Sequence, residues 1–196
     1  LTKDDELYLY GGDGTLNHFV NDVKGMEIPC NIYFNTSGTG NDFYTDVKKE
    51  GDSDLILIND YIKDLPRVII NDDKEYLFIN GVGFGIDGYC CEEGDRLQKL
   101  SDKPVNYAGI AIKGLLFKFP ARSGKVTVDG ETIEYKRIWI CPTMKGRFYG
   151  GGMMVTPNQN RLEKGVVSHA CFHTSGKIKT LMVFPKLFEG THLKHT

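Results

Sequence analysis

An α/β part followed by a mainly antiparallel β part is the fold the sequence predicts, and three observations predict it. Up to residue 63, apolar strand-like runs alternate with helical spacing. Beyond residue 66, short strands bounded by turn signals dominate. Near the start, two strand ends run into glycine-rich loops. A chain of 196 residues suits one large or two small domains, with enough apolar content for a real core.

The first strand is Leu7-Tyr8-Leu9-Tyr10. It runs into Gly11-Gly12-Asp13-Gly14-Thr15 and then a helix, where Leu16, Phe19, Val20 and Val23 recur at the i, i+3, i+4, i+7 spacing of one buried face. Glycines in such a turn, Gly12 above all, are expected to take unusual φ and to let backbone N–H groups approach a ligand, while the helix N-terminus favours anions. The loop reads as a phosphate cradle or as a plain turn. An acid beside phosphate is repelled unless it holds a metal, a ribose hydroxyl or a proton in transit, so Asp13 argues for the cradle. The second strand, Ile28 to Phe34, ends in Asn35-Thr36-Ser37-Gly38-Thr39-Gly40-Asn41-Asp42-Phe43. Two such turns can lie side by side at the carboxyl edge of one parallel sheet, where open α/β folds place ligands. Ser53 to Tyr61 is expected to complete the last helix of this Rossmann-like part.

The architecture changes near Lys63 to Pro66. Arg67-Val68-Ile69-Ile70 and Glu75 to Ile79 flank Asn71-Asp72-Asp73-Lys74, a hairpin signal, and Lys125 to Val128 with Glu131 to Tyr135 flank Asp129-Gly130, a stronger one. Further strands are expected at Arg137 to Cys141 and Val166 to Phe172. A helix covering Tyr107, Ile110, Ala111, Gly114, Leu115 and Lys118 interrupts them and ends before Pro120. The division is therefore 1–63, an α/β domain, and 64–196, a β-sandwich-like domain, with an active site expected in the cleft between them.

A net charge of −2 gives no global basic field, so no nucleic-acid partner is expected. No run approaches the ~20 apolar residues that cross a bilayer, and no secretory segment opens the chain, so a cytoplasmic protein with peripheral membrane contact is the expectation. Cys30, Cys90, Cys91, Cys141 and Cys171 lack zinc-type spacing and read as free thiols. Edge strands in the β part make a homodimer plausible.

Together, GGDGT and GTGNDF resemble the catalytic domain of diacylglycerol kinases and bacterial lipid kinases, relatives of sphingosine kinases, NAD kinases and phosphofructokinases. Asn80-Gly81-Val82-Gly83-Phe84-Gly85-Ile86-Asp87 and the triple glycine Gly150-Gly151-Gly152 before Pro157 extend the resemblance over most of the chain. Against that family both ends look unfinished: only six residues precede the first strand, and the Asp-Gly-Glu motif expected to supply a general base is absent, since Asp129-Gly130-Glu131 lies in a hairpin.

The resemblance implies transfer of the ATP γ-phosphoryl group to a lipid hydroxyl at the membrane surface, as in phospholipid biosynthesis, a phosphotransferase reaction with an alcohol acceptor in which 1–63 binds the nucleotide and 64–196 the lipid substrate. An NAD kinase-like enzyme and a non-catalytic nucleotide- or lipid-binding module are the alternatives. Carried over by motif, Gly11, Gly12, Gly14, Thr15, Leu16 and Asn17 would line the ATP phosphates, and Thr39 would contact the nucleotide. Asp13 would organise phosphate and Mg2+, or serve as the base. Asn41 and Asp42 either shape that pocket or cap a helix. Asp87 faces the cleft or forms a cap; Lys145 and Arg147 hold phosphate or solvate a loop, solvation being favoured for Lys145. His169 and His173 read as packing or surface residues. Where many bacterial members have Asp-Asp-Gly holding a structural magnesium, this chain has Glu163-Lys164-Gly165, and Gln159 and Arg161 are candidates to close that loop instead.

Overall fold

The computed structural model describes residues 1–38, 41–101, 105–173 and 176–195. In chain order the first elements are β1 (Glu6–Gly11), α1 (Asp13–Asp22), β2 (Asn31–Thr36), α2 (Asp42–Val47), β3 (Ile56–Leu57), α3 (Asn59–Ile62), β4 (Arg67–Ile70) and β5 (Lys74–Leu77). There follow β6 (Gly81–Gly85), α4 (Ile86–Gln98), α5 (Tyr107–Lys113), a π-helical turn (Gly114–Lys118), β7 (Arg122–Val128), β8 (Glu131–Ile138) and β9 (Ile140–Met144). The last are β10 (Phe148–Tyr149), β11 (Met153–Met154), β12 (Ser168–His169), α6 (Lys177–Phe188) and a 3-10 turn, His192–His195.

The chain forms two compact units. The first comprises Leu1–Gly81 and takes back Met144–Gly152 and Thr156–Ser168; the second comprises Val82–Thr143, Met153–Val155 and His169–Thr196. A linear reading of the sequence has no means of seeing that return.

In the first unit β1 and β2 are parallel, with Gly11 opposite Thr36, and the antiparallel β3 pairs Ile56 with Phe34. Helix α1 buries Leu16 and Val20, as its spacing predicts, against Ile32, Phe34, Phe43, Ile56 and Ile58. Phe43 meets Phe34 and Tyr61 edge-on, with centroids 5.9 and 6.0 Å apart. The strand begins at Asn31 rather than Ile28, because Pro29 has no N–H for the ladder. The helix expected over Ser53 to Tyr61 is replaced by β3 and the single turn α3. Ile56 and Ile58 are both buried, which suits alternation from a strand edge better than a helical stripe.

Strands β12, β9 and β6 form a three-stranded sheet, and β7 and β8 are a hairpin of the second unit. Asp129 and Gly130 both have positive φ, 49° and 87°, which the two-residue turn requires. The expected strand from Arg137 to Cys141 breaks instead between β8 and β9, next to Arg137 at φ 56°. Two helices, α4 and α6, go beyond the sequence reading: α4 carries two glycines and two cysteines, and α6 opens with a strand-like β-branched pattern and contains Pro185. Gly94 and Gly114 let the helices pack, since a Cβ on either would lie 2.6 or 2.5 Å from the Tyr107 or Tyr89 ring. Gly85 has φ 121°, and a Cβ there would press on the Trp139 carbonyl, whose carbon lies 3.0 Å away. Gly85→Ala is therefore expected to destabilise the chain by about 2 kcal/mol or more, read as a lower urea midpoint. No helix among the described residues is long and apolar enough to cross a membrane.

Candidate active site

The two glycine loops leave the same edge of the first unit's sheet. Ser37 N–H donates to the Gly11 carbonyl at 3.0 Å. A Cβ on Gly38 would stand 2.8 Å from the Gly12 Cα, so glycine is what allows the loops to touch. The expected adjacency of the two turns is what the sheet edge presents. Thr39 lies outside the described residues.

Asp13 is the knot that ties the loops. Its carboxylate accepts from the Asp42 and Phe43 amides at 2.9 and 2.8 Å and from Asn80 Nδ2 at 3.1 Å. It thereby supplies to α2 the cap that Asn41, at the N-cap position, does not give. Asn41 Oδ1 instead accepts from the Thr36 hydroxyl. Asp42, 5% exposed, points onward and accepts from the Gly151 and Gly152 amides at 2.9 and 2.6 Å. Gly150, Gly151 and Gly152 have φ of 66°, 85° and 105°, a run of left-handed backbone that only glycine tolerates cheaply.

Burial raises the Asp42 pKa above its ordinary 3.8, the Gly151 amide opposes this, and the nearby Asp13 charge adds to the rise. A carboxylic acid whose folded pKa is raised contributes stability that is fully present below the unfolded value and is lost as pH rises through the folded pKa. Wild type compared with Asp42→Asn in urea melts at pH 4 and pH 7 should therefore show the advantage of wild type shrinking as pH rises. An advantage that grows with pH would mean that the amides outweigh burial.

One helical turn beyond Asp42, Asp46 anchors two arginines. Arg147 Nε donates to Oδ1 at 2.6 Å, and Arg161 Nε donates to Oδ2 at 2.9 Å. Arg161 also donates to the Ile79 carbonyl and to Asn80 Oδ1, the latter at 2.8 Å, and its guanidinium carbon lies 4.7 Å from the centre of the Phe43 ring. Hydrogen bonds thus run from Asp13 through Asn80 and Arg161 to Asp46 and Arg147. Asp46 and Asn80 join this network although neither is among the site residues expected from the sequence. The i, i+4 spacing of Asp42 and Asp46 puts both acids on one helical face but shows neither their partners nor Asn80.

The remaining expected site residues separate. Gly14 and Thr15 are exposed, while Gly12 and Asp13 are half-buried. Gly12 has φ −98°, ordinary extended backbone, so the expected unusual φ is absent there. The space beside Gly11 is filled by the Thr15 side chain, whose Cβ would lie 2.5 Å from an added methyl. Leu16 is fully buried in the core, so its side chain is not available to a ligand. Asn17 Oδ1 accepts from the Ile79 amide at 3.2 Å. Asp87 packs against Gly83 in the first turn of α4. Lys145, expected to solvate a loop, is 3% exposed, and burial pulls its pKa down. The expected Val166 to Phe172 strand shrinks to β12 and one bridge from Phe172 to Ile140, because the Val166 carbonyl is taken by Lys145 and Gln159 side chains. A shallow cavity lined by Val47, Lys49, Leu55, Leu57 and Tyr61 contains no glycine-loop residue.

The chain is 24% identical over 196 residues to a diacylglycerol kinase of Mycobacterium tuberculosis, covering 97% of this chain and 62% of that protein. It is 27% identical over 180 residues to YtlR of Bacillus subtilis, covering 81% of this chain and 55% of the relative. Among solved structures, one of a diacylglycerol kinase from Bacillus anthracis str. Sterne superimposes with TM-score 0.55 at 20% identity, covering 93% of this chain and 58% of that one, a likeness of fold. The chain thus spans about three-fifths of the length of these relatives. The family model described as the YegS C-terminal NAD kinase beta sandwich-like domain matches residues 80–196, more than half of the chain. Carrying that domain behind its paired glycine loops, the chain belongs to the YegS family of bacterial lipid-kinase-like proteins.

Proposed function

We propose that this chain is part of an ATP-dependent lipid kinase that phosphorylates a lipid hydroxyl such as that of diacylglycerol at a membrane surface, with the glycine-loop unit handling the nucleotide. The observation that carries the reading is Gly14. It is exposed in the first turn of α1, its φ lies outside the left-handed region, and a Cβ there would meet nothing within 4 Å. Neither packing nor backbone strain demands glycine at this point, whereas close approach of a phosphate to the helix amides does. The M. tuberculosis relative's name as a diacylglycerol kinase supports the choice of acceptor.

Phosphoryl transfer asks the protein chiefly for positioning and for neutral or positive surroundings to the developing charge. The amides of the first turn of α1, which have no acceptor inside the helix, would face the phosphates, with the Thr15 hydroxyl beside them. Asp13 acts through position: by holding the amides of Asp42 and Phe43 it fixes the second loop against the first. Its two oxygens already accept three N–H bonds, and no three His, Cys, Asp or Glu side chains gather to hold a metal among the described residues. Mg2+ would therefore enter with the nucleotide as its counter-ion, where the phosphates supply most of the oxygens. Incubating the chain, and any longer protein that contains it, with radiolabelled ATP and diacylglycerol in mixed micelles tests the reading. Labelled lipid from the longer protein is the expected result. Nucleotide binding with no transfer to any lipid hydroxyl would favour the binding-module alternative.

A further inference from the structure

The resemblance implies a structural magnesium ion in the loop that carries Glu163-Lys164-Gly165, and the residues here do not fit one. Lys164 stands where a second acid would be needed, and its ammonium pairs with Asp64 at 3.3 Å. Glu163 is exposed to solvent. A hard divalent ion wants several oxygen ligands, carboxylates among them, and a cation already fills the inner side of this loop.

That cation is Lys145. Its Nζ donates to the Glu163 carbonyl at 2.6 Å and reaches the Val166 carbonyl at 3.5 Å. Gln159 Nε2 approaches the same Val166 carbonyl at 3.5 Å and the Asn160 carbonyl at 3.3 Å, while its Oε1 accepts from the Ser168 hydroxyl. The backbone of Lys145 is itself fixed, its N–H donating to the Asn80 carbonyl at 2.8 Å. Main-chain oxygens converging on a compact positive charge is the arrangement by which a loop holds a hard cation, and an ammonium is a compact charge with three donors. Arg161 does not share this task, because its guanidinium is spent on Asp46, Ile79 and Asn80.

We infer that the Lys145 ammonium replaces the divalent ion in the 159–166 loop, so that the loop is closed by a side chain of this protein and does not respond to divalent metal. The test needs no nucleotide. Thermal melts of the wild-type chain should give the same Tm in EDTA, in millimolar Mg2+ and in millimolar Ca2+. Lys145→Met should lower Tm by ~4 °C or more and speed trypsin cleavage after the exposed Lys164 under native conditions, with no rescue by Mg2+. Amide exchange at 165–167 in the wild type supplies a readout independent of the variant's folding, and it should be unchanged by EDTA. A wild-type Tm or loop exchange rate that depends on Mg2+ would overturn the inference. So would a Lys145→Met chain whose Tm and Lys164 cleavage match wild type.

Discussion

Asp46→Ala is expected to lower stability by about 3–5 kcal/mol, the loss typical of removing one partner of a buried ion pair. The Asp46 and Arg161 side chains are only 3% and 4% exposed, and Arg147 Nε shares the same carboxylate at 2.6 Å. Without Asp46 the Arg161 guanidinium keeps its bonds to Ile79 and Asn80 but remains charged in an apolar setting against the Phe43 ring. Since native domains rest on only ~5–15 kcal/mol, this change alone can leave the chain largely unfolded at 37 °C. Urea denaturation followed by far-ultraviolet circular dichroism measures it. Replacing Asp46, Arg147 and Arg161 together with apolar residues should cost less than Asp46→Ala, because no charge is then stranded and the remaining loss is that of the Ile79 carbonyl and Asn80 Oδ1 left without Arg161.

The second large effect is expected at Asp13. Asp13→Asn swaps one acceptor oxygen for an NH2 group that must face an N–H donor, either the Asp42 amide or the pair Phe43 and Asn80. About 1–3 kcal/mol of stability should be lost for each donor left unpaired. In a protein that carries out the transfer, loosening the second glycine loop should lower turnover by ~10²-fold or more, as for loss of other preorganised groups. If the loss appears in kcat with KM for ATP nearly unchanged, Asp13 fixes transition-state geometry. If KM alone rises, it shapes the ground-state cradle. Near wild-type turnover with reduced stability would confine Asp13 to capping α2.

Much of the pairing of the two glycine loops is legible in the sequence because its requirements are local. A glycine where two backbones touch, an apolar alternation that marks a strand, and the 3.6-residue spacing of Leu16 and Val20 are all written within a few positions of one another. So is the Asp129-Gly130 turn. The Asp46 cluster was not legible, since Arg147 and Arg161 follow it by 101 and 115 residues and a charged residue on a short helix reads as surface. Lys145 misleads for the same reason: only the fold brings the carbonyls of Glu163 and Val166 around it. Helix α6 is hidden by Pro185 and by the strand-like spacing of the β-branched Ile178 and Thr180, where tertiary packing of Phe184 and Leu187 overrides local preference. The short β3 was hidden by length, two residues being too few for any periodicity to register.

If the loop from Gly11 to Thr15 receives nucleotide phosphate, Gly14 is the residue that tests it most directly, because folding does not need glycine there. Gly14→Val in the first turn of α1 should keep wild-type stability within about 1 kcal/mol, its Cβ entering open space. Titrating Mg-ATP into wild type and Gly14→Val by calorimetry, with folding checked by circular dichroism, should show binding to the wild type and at least ~10-fold weaker binding to the variant, since the branched side chain stands where backbone must meet phosphate. Equal affinity in two equally folded proteins would contradict the cradle.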